Sequence, residues 1–287
     1  MIQGWLFIIF SSACSVLIAH LLKVTETRML NTMKVLTVNY VTAAAIAFLT
    51  PAGGAEIDFN LTEATPGLAL AILVGTIFIA NFFVFSKSVS KNGVGISVAA
   101  MRISLLIPVL LSVIWYLEYL ENRQWVGIFT VIIALFLLLP NKRKMLRQPK
   151  SAAWLLVLLF LGTGLGDGSL KIFEMDFSEH LTKEQFMGTV FLSAMIVGFI
   201  IIFIKDTVSF NRQEIMMGIF VGVPNLYSAI FLIEALGQLN GAIVYSTVNI
   251  LTVLGATLVG MIRWGDWVTS VQWLGIAATI LSIILLI

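Results

Sequence analysis

The stretch KNGVGISVAAMRISLLIPVLLSVIWYLEYLENRQWVGIF, residues 91–129, decides how this chain folds. Apolar runs flank a short polar interruption, LEYLENRQ, residues 117–124. About 20 apolar residues cover the hydrocarbon core of a bilayer as a helix. The stretch therefore reads as two spanning helices joined by a tight turn. The first run also carries Arg102, about ten residues from its start. A charge at the bilayer centre costs about 2.5–3.5 kcal/mol on insertion scales, so Arg102 is expected to face the protein interior or a water-filled cavity. Gly95, Ala99 and Arg102 share one face by helical spacing, and the two small residues leave room for such a cavity.

A second window, LNGAIVYSTVNILTVLGATLVGMIRWGDWVTSVQWLGIA, residues 239–277, aligns with the first without a gap at an offset of 148. Asn92-Gly93 falls on Asn240-Gly241, Glu118 on Asp266, and Gln124-Trp125-x-Gly127 on Gln272-Trp273-x-Gly275. Leu and Ile matches are cheap in an apolar chain, but the NG and QWxG anchors at one fixed offset are not.

The remaining sequence fits this reading. Of 287 residues, 59% are hydrophobic and 11% charged, where soluble domains have about 45–50% and about 25%. Mean hydropathy is +1.02. Ten spans are expected, at 3–22, 31–50, 67–87, 93–116, 124–140, 152–173, 186–204, 214–236, 241–262 and 269–287. Barrel strands are about half as long and alternate in polarity, so the fold class is an all-α membrane protein. The N-terminal MIQGWLFIIF lacks a basic lead-in and a clear cleavage site, and is expected to stay as the first span. Cys14 is the only cysteine, which excludes an intrachain disulfide and a cysteine-based metal site.

Ten spans divide into two copies of five, residues 1–140 and 152–287, joined by a basic linker, 141–151. An odd number of spans turns the second copy over, giving two inverted five-helix repeats, an architecture frequent among secondary transporters. Alternate connections hold thirteen Lys and Arg on one side of the membrane and three on the other. By the positive-inside rule both termini are expected outside and the linker in the cytoplasm. A sequon, Asn60-Leu61-Thr62, falls on the expected outer side and is read as a chance match.

The hairpins carry a resemblance. Pro108-Val109, then Glu118, then Gln124-Trp125-Val126-Gly127 resemble the fourth-to-fifth-span hairpin of the drug/metabolite transporter superfamily in its EamA-like branch, which reads PV...LGE.LT..Q.IG. The second copy has Asp266, Gln272 and Gly275, with Ala256 in place of the proline. The resemblance extends over nearly the whole chain and is weak in spans 1, 2, 6 and 7. It implies a bacterial inner-membrane carrier, and for the termini it implies the inside, against the local charge count. Small multidrug relatives exchange drug for protons on a glutamate in the first span. Here the first span offers Ser11, Ser12 and Ser15 and no acid before Glu26, which argues against cationic-drug efflux of that kind.

Several intramembrane polar residues are candidates for a site, each with a structural alternative. Arg102 either binds an anionic group with its planar fork or pairs permanently with a buried acid or helix-end carbonyls. Tyr245, Asn249 and Thr252 form a stripe on one face of span 9, lining a cavity or tying helices. In span 8, Pro224 permits a kink, Asn225 is central, and Tyr227 and Glu234 share a face. Glu234 binds an amine, carries a proton, or is an interfacial acid. Asn81 in span 3 is open in the same way. In span 6, GTGLGDGSLK, the glycines loosen the helix or allow close packing. Asp167 either pairs with Lys171 four residues on, or is a partner of Arg102 or a coupling carboxylate. Gly218-x-x-x-Gly222 reads as a helix contact, and His20 and Lys34 as residues snorkelling to the cytoplasmic edge.

No HExxH, Cys/His cluster or nucleophile elbow occurs, and the alternating glycines lack the GK[ST] of a phosphate loop. Neither enzyme chemistry, nor a metal or cofactor, nor nucleic acid is expected. The partners are the bilayer and a small-molecule substrate, with a monomer workable because two halves share one chain and a dimer left open. Small polar metabolites are expected as cargo, amino acids or related carboxylates, more in export than import. That substrate class rests largely on what the resemblance implies. A lipid or lipid-linked sugar flippase and a non-transporting membrane scaffold are the alternatives. Sugar-phosphate exchange would favour a second midplane cation, and none is evident.

Overall fold

The computed structural model describes residues 2–54, 64–138, 152–205 and 209–287. The sequon at Asn60 and the basic linker 141–151 lie outside the described residues. Every regular element among those described is helical. The order is α1 (Ile2–Thr27), α2 (Thr32–Leu49), α3 (Ala64–Asn92), α4 (Val94–Ile103) and α5 (Leu106–Leu110), which runs into a π-helical turn, Leu111–Trp115. Then come α6 (Asn122–Leu138), α7 (Ala153–Asp176), α8 (Lys183–Lys205), α9 (Arg212–Leu236), α10 (Gly241–Trp264) and α11 (Ser270–Leu286).

Among the described residues, eight helical segments are long and apolar enough to cross a membrane: α1, α2, α3, Ile96–Trp115, α7, Lys183–Ile204, α9 and α10. α6 and α11 are apolar but shorter, with 17 residues each. Large hydrophobic side chains cover the outside of the bundle, among them Phe129, Phe203, Ile204 and Ile284. An apolar belt of this extent is unlike the surface of a soluble monomer and is compatible with an integral membrane protein. α1 and α3 run past the expected ends of their spans, through Lys23 and Glu26 and through Lys91. Hydropathy locates the hydrocarbon, not the last helical hydrogen bond.

Helix starts are fixed by side chains that fill orphan backbone donors. Asn31 caps α2, and Asn211 with Glu214 forms a capping box on α9. Thr269 and Gln272 form another on α11, and Gln124 Oε1 accepts from the Glu121 N–H at 2.9 Å ahead of α6. The two glutamines of the QWxG anchors therefore do one job at two places. The two glycines do as well. A Cβ on Gly127 would lie 3.0 Å from Leu286 Cγ, and one on Gly275 would lie 2.9 Å from Leu138 Cγ, where α6 and α11 pack closely.

The turns that close the hairpins also match. Leu117 (φ 53°) and Gly265 (φ 67°) are left-handed. The next N–H, of Glu118 or Asp266, donates to a carbonyl six residues back, Ser112 or Gly260, each at 3.1 Å. This is the helix-terminating geometry that favours glycine, and the turn after α5 adopts it with a leucine.

The α4–α5 segment differs from α10. Pro108 has no N–H to offer the Ser104 carbonyl, and its ring crowds that oxygen. The Ser104 carbonyl accepts from Ile107 at 2.9 Å instead, and the helix breaks between α4 and α5. α10 has Ala256 there and runs unbroken. Pro224 does not interrupt α9.

α9 packs against α1 and α2, and α8 against α2 and α3. α7 lies on α3, α4 and α5, and α10 on α1, α5 and α6. The Gly218-x-x-x-Gly222 contact is with α2: Cβ atoms there would meet Val38 and Thr42 at 2.5 and 2.6 Å. The span 6 glycines serve close packing rather than loosening, since α7 is continuous and Gly164 and Gly166 abut Ile107 and Phe78. Lys34 does not snorkel: it is buried and donates to the Ser209 carbonyl at 2.9 Å. His20 Nδ1 accepts from Trp264 Nε1 at 3.3 Å.

Candidate functional site

A cavity of about 450 Å³ lies inside the bundle. Its polar lining comes from five helices: Ser11 and Ser15 of α1, Arg102 of α4, Asp167 of α7, Asn225 and Ser228 of α9, and Tyr245, Asn249 and Thr252 of α10. Phe78, Met101, Leu170, Phe191 and Leu232 supply apolar walls. The size suits a small molecule, and a few convergent polar groups in an apolar wall are what a ligand site needs.

Arg102 sits in the last turn of α4, just ahead of the Pro108-dependent break. A guanidinium carries five N–H donors. Among the described residues it donates one hydrogen bond, from Nη1 to Asn249 Oδ1 at 3.3 Å. Asn249 Nδ2 in turn donates to the Tyr245 carbonyl at 3.2 Å. The Tyr245 hydroxyl donates to the Asp167 carbonyl at 2.7 Å, which fixes α10 against α7. Arg102, Asn249, Tyr245 and Asp167 thus form one connected wall.

Asp167 faces the same cavity. The expected local pair with Lys171 does not form, because the Lys171 ammonium binds Glu118 and Glu174 instead, at 3.1 and 3.0 Å. Among the described residues no donor bonds the Asp167 carboxylate, and it makes no ion-pair contact with Arg102. The two opposite charges share the cavity and feel one another through space. Both side chains are half-buried, with atoms that look into the cavity. A low-dielectric wall strengthens such a field.

Asn225 Nδ2 donates to Asn39 Oδ1 at 3.1 Å, so one end of this amide is engaged in tying α9 to α2. Ser11 Oγ donates to the Ser228 carbonyl at 2.8 Å. Three other candidates are away from the cavity lining. Asn81 donates to Thr163 Oγ1 at 2.8 Å and ties α3 to α7. Tyr227 lies beside Phe231, ring centroids 5.9 Å apart. Glu234 takes the Lys183 ammonium at 2.6 Å and lines a separate recess near the end of α9. These three read as structural residues.

Ser11, Ser15 and Ser228 join the site without a sequence signal strong enough to assign them, since serines are common in apolar helices. Asn39 is buried and invisible to a reading that weighs charged residues first. Glu118 with Lys171 needed tertiary structure, because one comes from the α5–α6 connection and the other from α7.

Arg102 lines two further spaces. One, of about 490 Å³, runs to Asp266, Trp267 and Gln272. The other, of about 270 Å³, is an apolar recess between α4–α5 and α6 with Ile103, Ile133 and Phe136 on its walls. Those three side chains are also exposed on the bundle exterior, so this recess opens sideways.

No family model matches the chain. A protein of Haemophilus influenzae, described as uncharacterized, is 28% identical over 288 residues, covering 96% of this chain and 95% of that one. A solved crystal structure superposes with a TM-score of 0.77 at 12% identity, covering 98% of this chain and 95% of the other. That likeness extends the fold, though not the function, to a remote sequence.

Proposed function

We propose that the chain is a secondary transporter of small polar metabolites, amino acids or related carboxylates, of the EamA-like drug/metabolite transporter type. It works by alternating access between two inverted five-helix halves, residues 1–140 and 152–287, in a bacterial inner membrane. The single observation that carries the reading is a central cavity holding an arginine with spare donors and a carboxylate without a direct cation contact. A zwitterion matches both: its carboxylate takes the planar fork of Arg102, and its ammonium takes Asp167. Asn249 and Tyr245 orient the fork, and Asn225 and Ser15 face the rest of the ligand. Asp167 is then the residue by which an amine or a proton is sensed.

The exchange symmetry of the packing supports the inverted repeat. Contacts of α1 with α9 and α10 have counterparts in those of α7 with α3 and α4, and α6 pairs with its own image, α11. Gly127–Leu286 and Gly275–Leu138 are the same contact with the halves exchanged. A second reading, a flippase for a lipid or lipid-linked sugar, is favoured by the apolar recess that opens sideways beside Arg102.

The test is the melting temperature of the purified protein against amino acids, organic acids, sugar phosphates, cationic drugs and short-chain anionic lipids. A ligand that binds only the folded state raises it. An amino acid that stabilises the wild type but neither Arg102→Ala nor Asp167→Asn carries the transporter reading into liposome uptake. A response to lipid alone, lost in Arg102→Ala, puts the flippase first. No response to any ligand, with Arg102→Ala merely melting earlier, leaves the scaffold.

A further inference from the structure

Two charged clusters lie at opposite ends of the cavity system, and the offset of 148 maps one onto the other. Lys171-x-x-Glu174 on α7 corresponds to Lys23-x-x-Glu26 on α1, and Glu118 corresponds to Asp266. The mapping holds in space. Lys171 binds Glu118 at 3.1 Å, and Lys23 binds Asp266 at 3.0 Å. In each the acid follows a left-handed residue in a hairpin turn of the same geometry.

Their states differ. At the Lys171 end the cluster is compact. Lys171 is 2% exposed and reaches Glu118, Glu174 and the Leu236 carbonyl. Glu118 also accepts from the Ala242 N–H at the start of α10, at 3.4 Å, and Asn240 Nδ2 donates to the Tyr119 carbonyl at 2.8 Å. The α5–α6 turn is thereby bound to both α7 and α10. Gly241 makes this possible, since a Cβ there would collide with Ser112 Oγ. Beside the cluster, Phe173 stacks on Phe186, centroids 4.0 Å apart.

At the Lys23 end the cluster is loose. Lys23 and Asp266 are 41% and 58% exposed, and Glu26 is exposed and makes no ion pair among the described residues. A space of about 130 Å³ separates α1 from α10 beside the pair, lined by His20, Lys23, Trp264 and Asp266. The larger cavity continues from Asp266 to Arg102.

We propose that Glu118–Lys171–Glu174 and Asp266–Lys23–Glu26 are the two gates of the carrier, compact in alternation. The structure has the Lys171 gate compact and shut, while the Lys23 gate is open in the sense that its Lys23–Asp266 pair is formed but hydrated and lacks Glu26. In the opposite state Glu26 joins Lys23 and Asp266, that cluster dehydrates, and water reaches the Lys171 cluster. Each gate, when compact and dehydrated, locks its hairpin to the first helix of the other half, so shutting one pulls on the turn whose image must release. The inference rests on the alternating-access reading but not on any choice of substrate.

The experiment needs no ligand. In a Cys14→Ser background, Ser15→Cys puts one thiol in the central cavity. A membrane-impermeant maleimide is applied to vesicles of each orientation. The parent reporter is expected to react from the Lys23 end. Lys171→Gln with Glu118→Gln and Glu174→Gln opens that gate without stranding a buried charge. Reaction from the Lys171 end should then rise about tenfold or more, as in any two-state equilibrium released from one lock. Lys23→Gln with Asp266→Asn should leave the parent pattern. A second variant removes no buried charge: Lys23→Cys with Asp266→Cys, oxidised to a disulfide, should shut the Lys23 end and pass reactivity to the other. If the reporter reacts from the same end in all of these proteins, the gates are refuted, even in a protein whose melting responds to an amino acid. If reactivity changes ends while no ligand shifts melting, the gates stand and the substrate reading falls.

Discussion

Replacing Lys171 by methionine is the most informative stability test. The substitution keeps an unbranched side chain one atom shorter and deletes its charge. In the native protein the ammonium is 2% exposed and sits within 3.1 Å of two carboxylates that are 12% and 17% exposed. Without it, Glu118 and Glu174 remain as close, poorly hydrated like charges. Removing one partner of a buried ion pair costs about 3–5 kcal/mol, chiefly through the charge left behind. The residual exposure of the two acids puts this case near the lower figure. Lys23→Met deletes the corresponding charge at the exposed end, where a pair of this kind contributes about 0–1 kcal/mol. In a chain this long about 3 kcal/mol corresponds to roughly 6–12 °C in melting temperature. Both variants are compared with the wild type in one detergent by thermal melting. A triple variant, Lys171→Met with Glu118→Gln and Glu174→Gln, should recover most of the loss, because its stranded charges are gone. If Lys171→Met melts within about 3 °C of Lys23→Met, roughly 1 kcal/mol, the account of a dehydrated lock is wrong.

The other predictions concern backbone and cavity. Leu117→Gly should raise stability by about 1 kcal/mol and Gly265→Ala should lower it by a similar amount, because both positions are left-handed; melting of the two variants checks the signs. Gly75→Ala should cost about 1–3 kcal/mol, since its Cβ would run into the Val190 carbonyl oxygen where α3 meets α8; a melting temperature equal to wild type contradicts the close approach. Arg102→Lys keeps the charge but loses the fork, and should weaken stabilisation by a carboxylate about tenfold or more; titration by thermal shift reads it. Asp167→Asn should keep the response to simple carboxylates while losing the preference for amino acids over them, which competition between an amino acid and its deaminated analogue would reveal.

Much of the bundle was legible because hydrophobic length is a strong signal, and the QWxG and NG anchors announced the two hairpins. What each anchor does was not legible. Gln124 and Gln272 cap helices on backbone only three residues away, whereas the fit of Leu286 on Gly127 and of Leu138 on Gly275 depends on partners more than 100 residues away. The cavity was partly readable, since intramembrane Arg102, Asn225, Tyr245 and Asn249 each carry a cost that invites an explanation. Asp167 was ambiguous: spacing offered it Lys171, and only the tertiary placement of Glu118 draws the lysine away. Glu234 and Asn81 fell on the structural side for a related reason. A polar side chain in an apolar helix can satisfy itself on a neighbour as easily as on a ligand, and one chain cannot tell which neighbour will be there.

The break at Pro108, without a counterpart at Ala256, has a consequence for energetics. Two halves that are images of one another would have equal energies facing either way. Here the helix carrying Arg102 breaks at Ser104–Leu105, two residues past the arginine, while α10 is a continuous rod. Under the alternating-access mechanism proposed above, the two orientations of the empty protein are therefore unequal in free energy, and a load presented on one face meets a larger fraction of competent molecules than the same load on the other. Such a carrier is asymmetric in its half-saturation on the two faces without any input of energy, while the equilibrium it approaches is unchanged. A single proline, by stiffness alone, would set which side of the membrane the protein waits on.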